Sequence, residues 1–278
     1  MSQSSKVTVF APAKLNLFLH VIGKRADGFH ELQSLFVFLS IGDRLTFQDA
    51  AAFDLEMYPD LGVPRAANLA WKALDGVRAI CPDLPPTLVT IEKSLPAEAG
   101  LGGGTADAPA VVHWAESQRA GVDFRRPLAG LGADMPPAMD QQARLWTGTG
   151  GEAGSLVPGL RGTPVLLLKP DSGVSTGACF AALRGNFGAP VEFDMVSDPW
   201  PQIERARNDL EDPARALNPD IDEALNRLKA LPGVHFVRMT GSGSTCFAVF
   251  KEKGLRDAAL VRLRSSKATW WSAAAEIL

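Results

Sequence analysis

The chain has 278 residues, 46% of them hydrophobic and 21% charged, proportions that let a globular protein bury its core without metals or disulfide staples. Its 28 Lys and Arg against 31 Asp and Glu leave a net charge of −3, short of the cationic excess with which a dedicated nucleic-acid binder neutralises phosphates. The 26 glycines and 20 prolines are too few for a low-complexity chain, so disorder and fibrous repeats are excluded.

The length predicts about two domains. Cys81, Cys179 and Cys246 are far apart and form no Cys-x-x-Cys pair, so neither a disulfide framework nor a metal site is expected. The apolar run Leu15 to Ile22 is broken by Asn16 and His20 and reads as neither signal peptide nor membrane span. The expectation is a cytoplasmic protein of a reducing compartment.

In chain order, Val7 to Phe10, Leu15 to Ile22 and Leu35 to Leu39 are β-rich runs separated by Pro12, Gly23, Gly28 and Gly42, predicting a meander of three strands. Asn68 to Ile80 spaces Leu69, Trp71, Leu74 and Val77 as a helix does, and Thr87 to Ile91 predicts a strand. A loop follows at Leu95-Pro96 and carries Gly100-Leu101-Gly102-Gly103-Gly104; behind it Thr105 to Ala120 predicts a helix, with Pro109 tolerated near its first turn. Around Gly148 to Gly151 a second section begins, so the predicted domains are residues 1–150 and 151–278. There Val165 to Leu168, Phe236 to Met239 and Cys246 to Phe250 read as strands, and Asn218-Pro219 opens a helix that ends near Gly233. Strands and helices mix without strict alternation, which favours an α+β fold.

The glycine loop is the sharpest chemical signal. Strand, glycines and helix in that order let backbone N–H groups approach an anion, and the helix N-terminus adds about half a positive charge. Two common nucleotide fingerprints fail: Thr105 stands where a dinucleotide loop needs its third glycine, and Gly23-Lys24 is followed by Arg25 rather than Ser or Thr.

The longer string Pro96-Ala97-Glu98-Ala99-Gly100-Leu101-Gly102-Gly103-Gly104-Thr105-Ala106 resembles the phosphate loop of the GHMP kinases, the superfamily of galactokinase, homoserine kinase and mevalonate kinase. Pro12-Ala13-Lys14-Leu15-Asn16, Asp27-Gly28-Phe29-His30, Leu131-Gly132-Ala133-Asp134 and Thr240-Gly241-Ser242-Gly243-Ser244 follow in the superfamily's order and point to members acting on a cytidine diphosphate-linked methylerythritol. The resemblance implies a two-domain α+β kinase with its active site between the domains. It implies ATP as cosubstrate, Mg2+ carried by the nucleotide, and transfer to the 2-hydroxyl of the methylerythritol in non-mevalonate isoprenoid synthesis.

Residue by residue, the resemblance implies Asp134 as base and Lys14 as the cation beside it. Residues Pro96 to Ala106, with Asn68, Leu69 and Lys93, would surround ATP. Asn16, Phe29, His30, Thr176 and Phe180 would hold the acceptor, with cytosine stacked on Phe29, Phe180 as the other wall and His30 at the base edge. Asn68 reads equally as a helix cap, and Asp134 alone as a cap before Pro136. Phe29 replaces the usual tyrosine, Thr105-Ala106 the usual Ser-Ser, and Gly177 an expected proline; the Gly121 to Leu131 stretch is short. The expected partner is this small molecule, with neither nucleic acid nor membrane; the chain is a monomer or a weak homodimer. A mevalonate- or homoserine-type kinase and a non-catalytic RNA-binding module are the competing readings.

Overall fold

The computed structural model describes residues 6–183, 185, 187–265 and 269–278. In chain order the elements are β1 (Lys6–Lys24), β2 (His30–Asp49), β3 (Asp54–Tyr58), α1 (Leu69–Ile80), β4 (Thr87–Glu92), α2 (Gly103–Gln118), α3 (Arg125–Leu128), α4 (Met135–Asp140), β5 (Arg144–Thr147), β6 (Glu152–Leu156), β7 (Pro164–Lys169), α5 (Thr176–Ala181), α6 (Pro199–Arg205), α7 (Glu211–Leu217), α8 (Asp220–Lys229), β8 (Val234–Met239), β9 (Cys246–Phe250), α9 (Lys253–Ser265) and β10 (Trp271–Glu276).

Contacts divide the chain into two compact units, each assembled from three segments: 1–13, 42–95 and 102–141 in the first; 14–41, 96–101 and 142–278 in the second. Where a single division at residue 150 was expected, the chain passes between the units five times, the last at 141/142. The reason is that β1 and β2 are long enough to contribute to both units.

In the first unit, residues 44–49 of β2 pair antiparallel with β4, and β4 pairs parallel with β3. The helices α1 and α2 cover this sheet. Phe47 of β2 stacks on Trp114 of α2 at 4.6 Å between ring centres, inside a core that also takes Leu45, Leu74, Val77, Val89, Ile91, Val111 and Phe124. Pro12 does not end the first strand as expected. Opposite it stands Gly42, where a Cβ would lie 2.1 Å from the Ala11 carbonyl oxygen; only a residue without a side chain lets the strands pass this closely.

The second predicted helix starts two residues early, at Gly103, and so Pro109 falls in its second turn. The missing N–H of Pro109 leaves the Thr105 carbonyl without its helical partner. The helix continues because tertiary burial outweighs that loss: every residue from Ala106 to Val112 is buried.

In the second unit four strands run in the order β10-β7-β9-β8, all antiparallel. The five or six residues of each strand in β7 and β9 are buried throughout, as expected of strands covered on both faces. α8 supplies Ile221, Ala224, Leu225 and Leu228 to this core. It begins at Asp220 rather than at Pro219: Pro219 takes the cap position, while Asn218 Oδ1 accepts from the Asp220 N–H at 3.1 Å.

Candidate active site

In the first unit, the N-terminus of α2 is the focal point. Gly102 caps it with φ 70° and makes no side-chain bond, so the first turn keeps its N–H groups directed outward. Before it, Glu98 has φ 50° and Gly100 φ 69°, left-handed conformations that turn successive peptide units in a tight loop. Gly104 has open space where a side chain would stand, whereas a Cβ on Gly103 would lie 3.3 Å from Leu95 Cβ. Thr105 and Leu69 both come within 3.9 Å of a Cβ placed on Gly132. The glycine-rich start of α2, the start of α1 and the segment leading to Asp134 are therefore neighbours.

Asp134 occupies the cap position of α4, yet its side chain makes no capping hydrogen bond. A purely structural cap does not explain this residue. Asn68 does cap α1, its Oδ1 accepting from Ala70 N at 2.9 Å and Trp71 N at 3.3 Å, so only its amide nitrogen remains to meet a nucleotide. Lys93 differs from the expectation in its side chain. Its buried ammonium donates to Asp43 Oδ2 at 2.5 Å, Asp107 Oδ2 at 2.8 Å and the Gly103 carbonyl at 3.1 Å, which exhausts its three protons.

In the second unit, Lys14 lies 8% exposed in β1. Its backbone N–H binds the Leu101 carbonyl at 3.0 Å and its Nζ donates to Asn16 Oδ1 at 2.6 Å. Asn16 is fixed in turn: its N–H donates to Thr240 Oγ1 and its Nδ2 to Ser34 Oγ, both at 2.8 Å. The 240–245 segment packs on the glycine loop so closely that a Cβ at Gly100 would lie 2.7 Å from the Gly243 carbonyl. Thus Lys14, Asn16, the 96–101 loop and the 240–245 loop form one constellation. Thr176 joins it through a 2.8 Å hydroxyl contact with Ser242.

The acceptor residues come together in part. His30 stacks on Phe180 at 4.9 Å and meets Phe187 edge-on at 5.9 Å. The Phe180 face expected as the second wall of a base slot is thus covered by imidazole. Burial, with Lys24 nearby, lowers the His30 pKa below the usual histidine value, so the ring is neutral and offers one donor and one acceptor. Phe29 is 65% exposed, presenting an open aromatic face.

Three polar groups that hold these loops were illegible in the sequence. Asp43 and Asp107 converge on Lys93 only through the strand pairing and the pitch of α2. Asn208 donates to the Met239 and Gly241 carbonyls at 2.9 and 2.8 Å, holding the 240–245 loop; its sequence does not show this, because those carbonyls lie 31 and 33 residues away.

A glycine-rich loop before a helix, a buried lysine and a Gly-Ser loop on an α+β scaffold are the features of a small-molecule kinase of the GHMP type, and the GHMP kinases C terminal model matches residues 199–268. A 4-diphosphocytidyl-2-C-methyl-D-erythritol kinase from Dinoroseobacter shibae is 38% identical, with 97% of this chain and 94% of the relative covered; one from a Jannaschia species is 39% identical over 97% and 96%. The crystal structure of a 4-(cytidine 5'-diphospho)-2C-methyl-D-erythritol kinase superposes with a TM-score of 0.83 at 31% identity, covering 97% of this chain and 99% of that one. The chain belongs to the 4-diphosphocytidyl-2-C-methyl-D-erythritol kinase family. A homoserine kinase from Cytophaga hutchinsonii, with TM-score 0.68 at 13% identity over 100% of this chain and 96% of that one, shares the fold alone.

Proposed function

We infer that the chain is an ATP-dependent kinase that transfers the γ-phosphoryl group to the 2-hydroxyl of 4-diphosphocytidyl-2-C-methyl-D-erythritol, a step of non-mevalonate isoprenoid synthesis. The observation that carries this is full-length likeness: relatives of that printed activity are 38–39% identical across 97% of the chain. Mevalonate and homoserine kinases share only the fold, at 12–13% identity, so neither lends its substrate to this chain. An RNA-binding role has no support beyond architecture, and the net charge of −3 opposes it.

The chemistry follows from the residues. The N–H groups at the start of α2, and those of the 96–102 loop, take the ATP phosphates; magnesium enters bound to the nucleotide, as part of the substrate. Asp134 accepts the proton of the 2-hydroxyl as its oxygen bonds to the γ-phosphorus. The bond from that phosphorus to the β-phosphate bridging oxygen breaks, and ADP leaves with the electron pair. Lys14, oriented by Asn16, offsets negative charge on the transferring group. Thr105 supplies the hydroxyl that the usual Ser-Ser pair would bring. Phe29 stacks on cytosine, His30 meets its edge, and Phe180 supports the imidazole; Thr176 reaches the same substrate. The setting is cytoplasmic, with no membrane or nucleic acid as partner, and the protein is a monomer or weak homodimer. Among the described residues no helix is long and apolar enough to cross a membrane.

The test is ADP release with the purified chain on three acceptors. Turnover with diphosphocytidyl-methylerythritol and none with mevalonate or homoserine is expected; comparable turnover with either of the latter overturns the acceptor assignment.

A further inference from the structure

The glycine loop leaves the first unit after Leu95 and returns at Gly102, so its shape depends on how those two ends are held. Both ends meet one buried ionic cluster. At the incoming end, Asp43 Oδ1 accepts from the Ser94 and Leu95 N–H groups at 2.6 and 3.1 Å. At the outgoing end, Lys93 Nζ binds the carbonyl of Gly103, the first residue of α2, and the Asp107 carboxylate one turn on, at 3.1 and 2.8 Å. Asp43 Oδ2 and Lys93 Nζ, 2.5 Å apart, tie the two ends together. Asp43 is itself held in β2, paired to β4 through Arg44 and Glu92.

We propose that Asp43, Lys93 and Asp107 are positioning residues for ATP, a clamp that sets the separation of the loop's two ends and hence the direction of its phosphate-facing N–H groups. The inference rests on the kinase reading above. Ionic glue is a costly way to join two elements when apolar packing would serve. It has the advantage of fixed geometry, since each atom has a defined partner and any slip exposes a buried charge. The cluster is also unbalanced, with two carboxylates on one ammonium, and Asp107 Oδ1 is buried without a partner among the described residues. The charged groups facing Asp107 are Asp43 and Lys93; burial, reinforced by Asp43 and opposed by Lys93, pushes the Asp107 pKa up to about 7. Asp107 therefore gains or loses its proton in the working range. Above that pH the carboxylate grips Lys93 and the clamp is complete; below it, the neutral acid holds Lys93 less tightly.

This predicts a specific difference between the full-length protein and its Asp107→Asn variant, which is neutral at every pH. ATP dissociation constants would be measured by calorimetry from pH 6 to 8.5, with melting temperatures alongside. Both proteins bind magnesium-ATP, whose own titration is common to the pair. Their constants converge below pH 7 and separate above it, the variant binding about fivefold more weakly at pH 8. Lys93→Arg keeps the charge but displaces it from the Gly103 carbonyl; it raises the ATP constant several-fold and leaves the KM of the cytidine substrate within twofold. Should Asp107→Asn not fold, Lys93→Arg decides alone. A constant ratio across pH, or equal weakening toward ATP and acceptor with a lower melting temperature, overturns the proposal. Because ATP binding needs no acceptor, a wild-type protein that binds ATP but fails to phosphorylate the cytidine substrate overturns only the acceptor assignment. One that binds no ATP overturns both.

Discussion

At the scale of single residues, Asp134 and Lys14 carry the heaviest assignment. Asp134→Ala is expected to lower kcat by 10²–10⁴-fold, the usual worth of general-base help, with the ATP KM held within a few-fold. The proposed mechanism has Lys14 act together with Asp134, so the Lys14→Met and Asp134→Ala double variant should be little slower than the worse single one; multiplying losses would refute that proposal, and steady-state kinetics on all four proteins measures it. The acceptor side is tested by Phe29. With its ring 65% exposed, Phe29→Ala should leave melting temperature unchanged and weaken the cytidine substrate by about 1–3 kcal/mol, the range for base–aromatic stacking, while Phe29→Tyr is near neutral. A fourth residue reports on pH. His20 is fully buried, accepts from the Arg207 N–H at 3.0 Å, and has its pKa lowered from 6.5 to about 4, chiefly by burial and then by Arg207. The unfolded chain therefore binds a proton between those values that the folded one refuses, so folding stability falls as pH drops from about 6.5 towards about 4. His20→Gln should flatten that slope in urea titrations at pH 4.5, 5.5 and 7; an unchanged slope sinks the assignment. Lys14, Asn16 and Asp134 could be proposed from the sequence because each sits in a short string with its own spacing. Asp43 and Asp107 were not, since a carboxylate after a strand or inside a helix looks solvated until the fold places a lysine against it.

At the scale of elements, the loop and α2 show where local reading works and where it stops. Strand, glycines and helix were readable from turn residues and apolar spacing. The helix start was not: Gly103 and Gly104 are poor helix formers, and only the Lys93 bond to the Gly103 carbonyl and the burial behind them draw both into the first turn. The meander failed in the same way, because Pro12 punctuates a sequence but not a strand whose neighbour is Gly42. The start of α2 also separates two roles that the sequence merges. At Gly103 a Cβ would press on Leu95 Cβ at 3.3 Å, so its replacement would strain the packing there as well as the nucleotide site. At Gly104 a Cβ meets nothing within 4 Å. Gly104→Ala should therefore raise stability by up to about 1 kcal/mol, the propensity difference between the two residues in a helix, and yet raise the ATP KM by crowding the phosphates. A melting curve beside an ATP saturation curve checks both signs. Higher stability with an unchanged KM would remove the N-terminus of α2 from the nucleotide site.

At the scale of the molecule, the path of the chain through two three-segment units was beyond any local signal. Such a path is recorded only in long-range bonds, and in the second unit Arg238 makes several of them. The residue is 7% exposed. From β8 its guanidinium donates to the carbonyls of Leu17 in β1 at 2.7 Å and of Ile203 in α6 at 3.0 Å, and also to the Ala206 carbonyl. Burial, partly offset by Glu211, lowers its pKa to about 10, still far above neutrality, so the charge persists, and its hydrogen bonds among the described residues go to carbonyl oxygens. The arrangement joins three elements that meet nowhere in sequence, and it is intolerant of partial loss. Arg238→Met fills similar volume but strands those carbonyls in an interior that excludes water. The cost expected from removing one partner of a buried charged network is about 3–5 kcal/mol. In urea unfolding the midpoint should drop while the slope, which follows the surface exposed, stays constant. A loss below about 1 kcal/mol would mean that water reaches the carbonyls and that Arg238 only lines the core it was taken to organise.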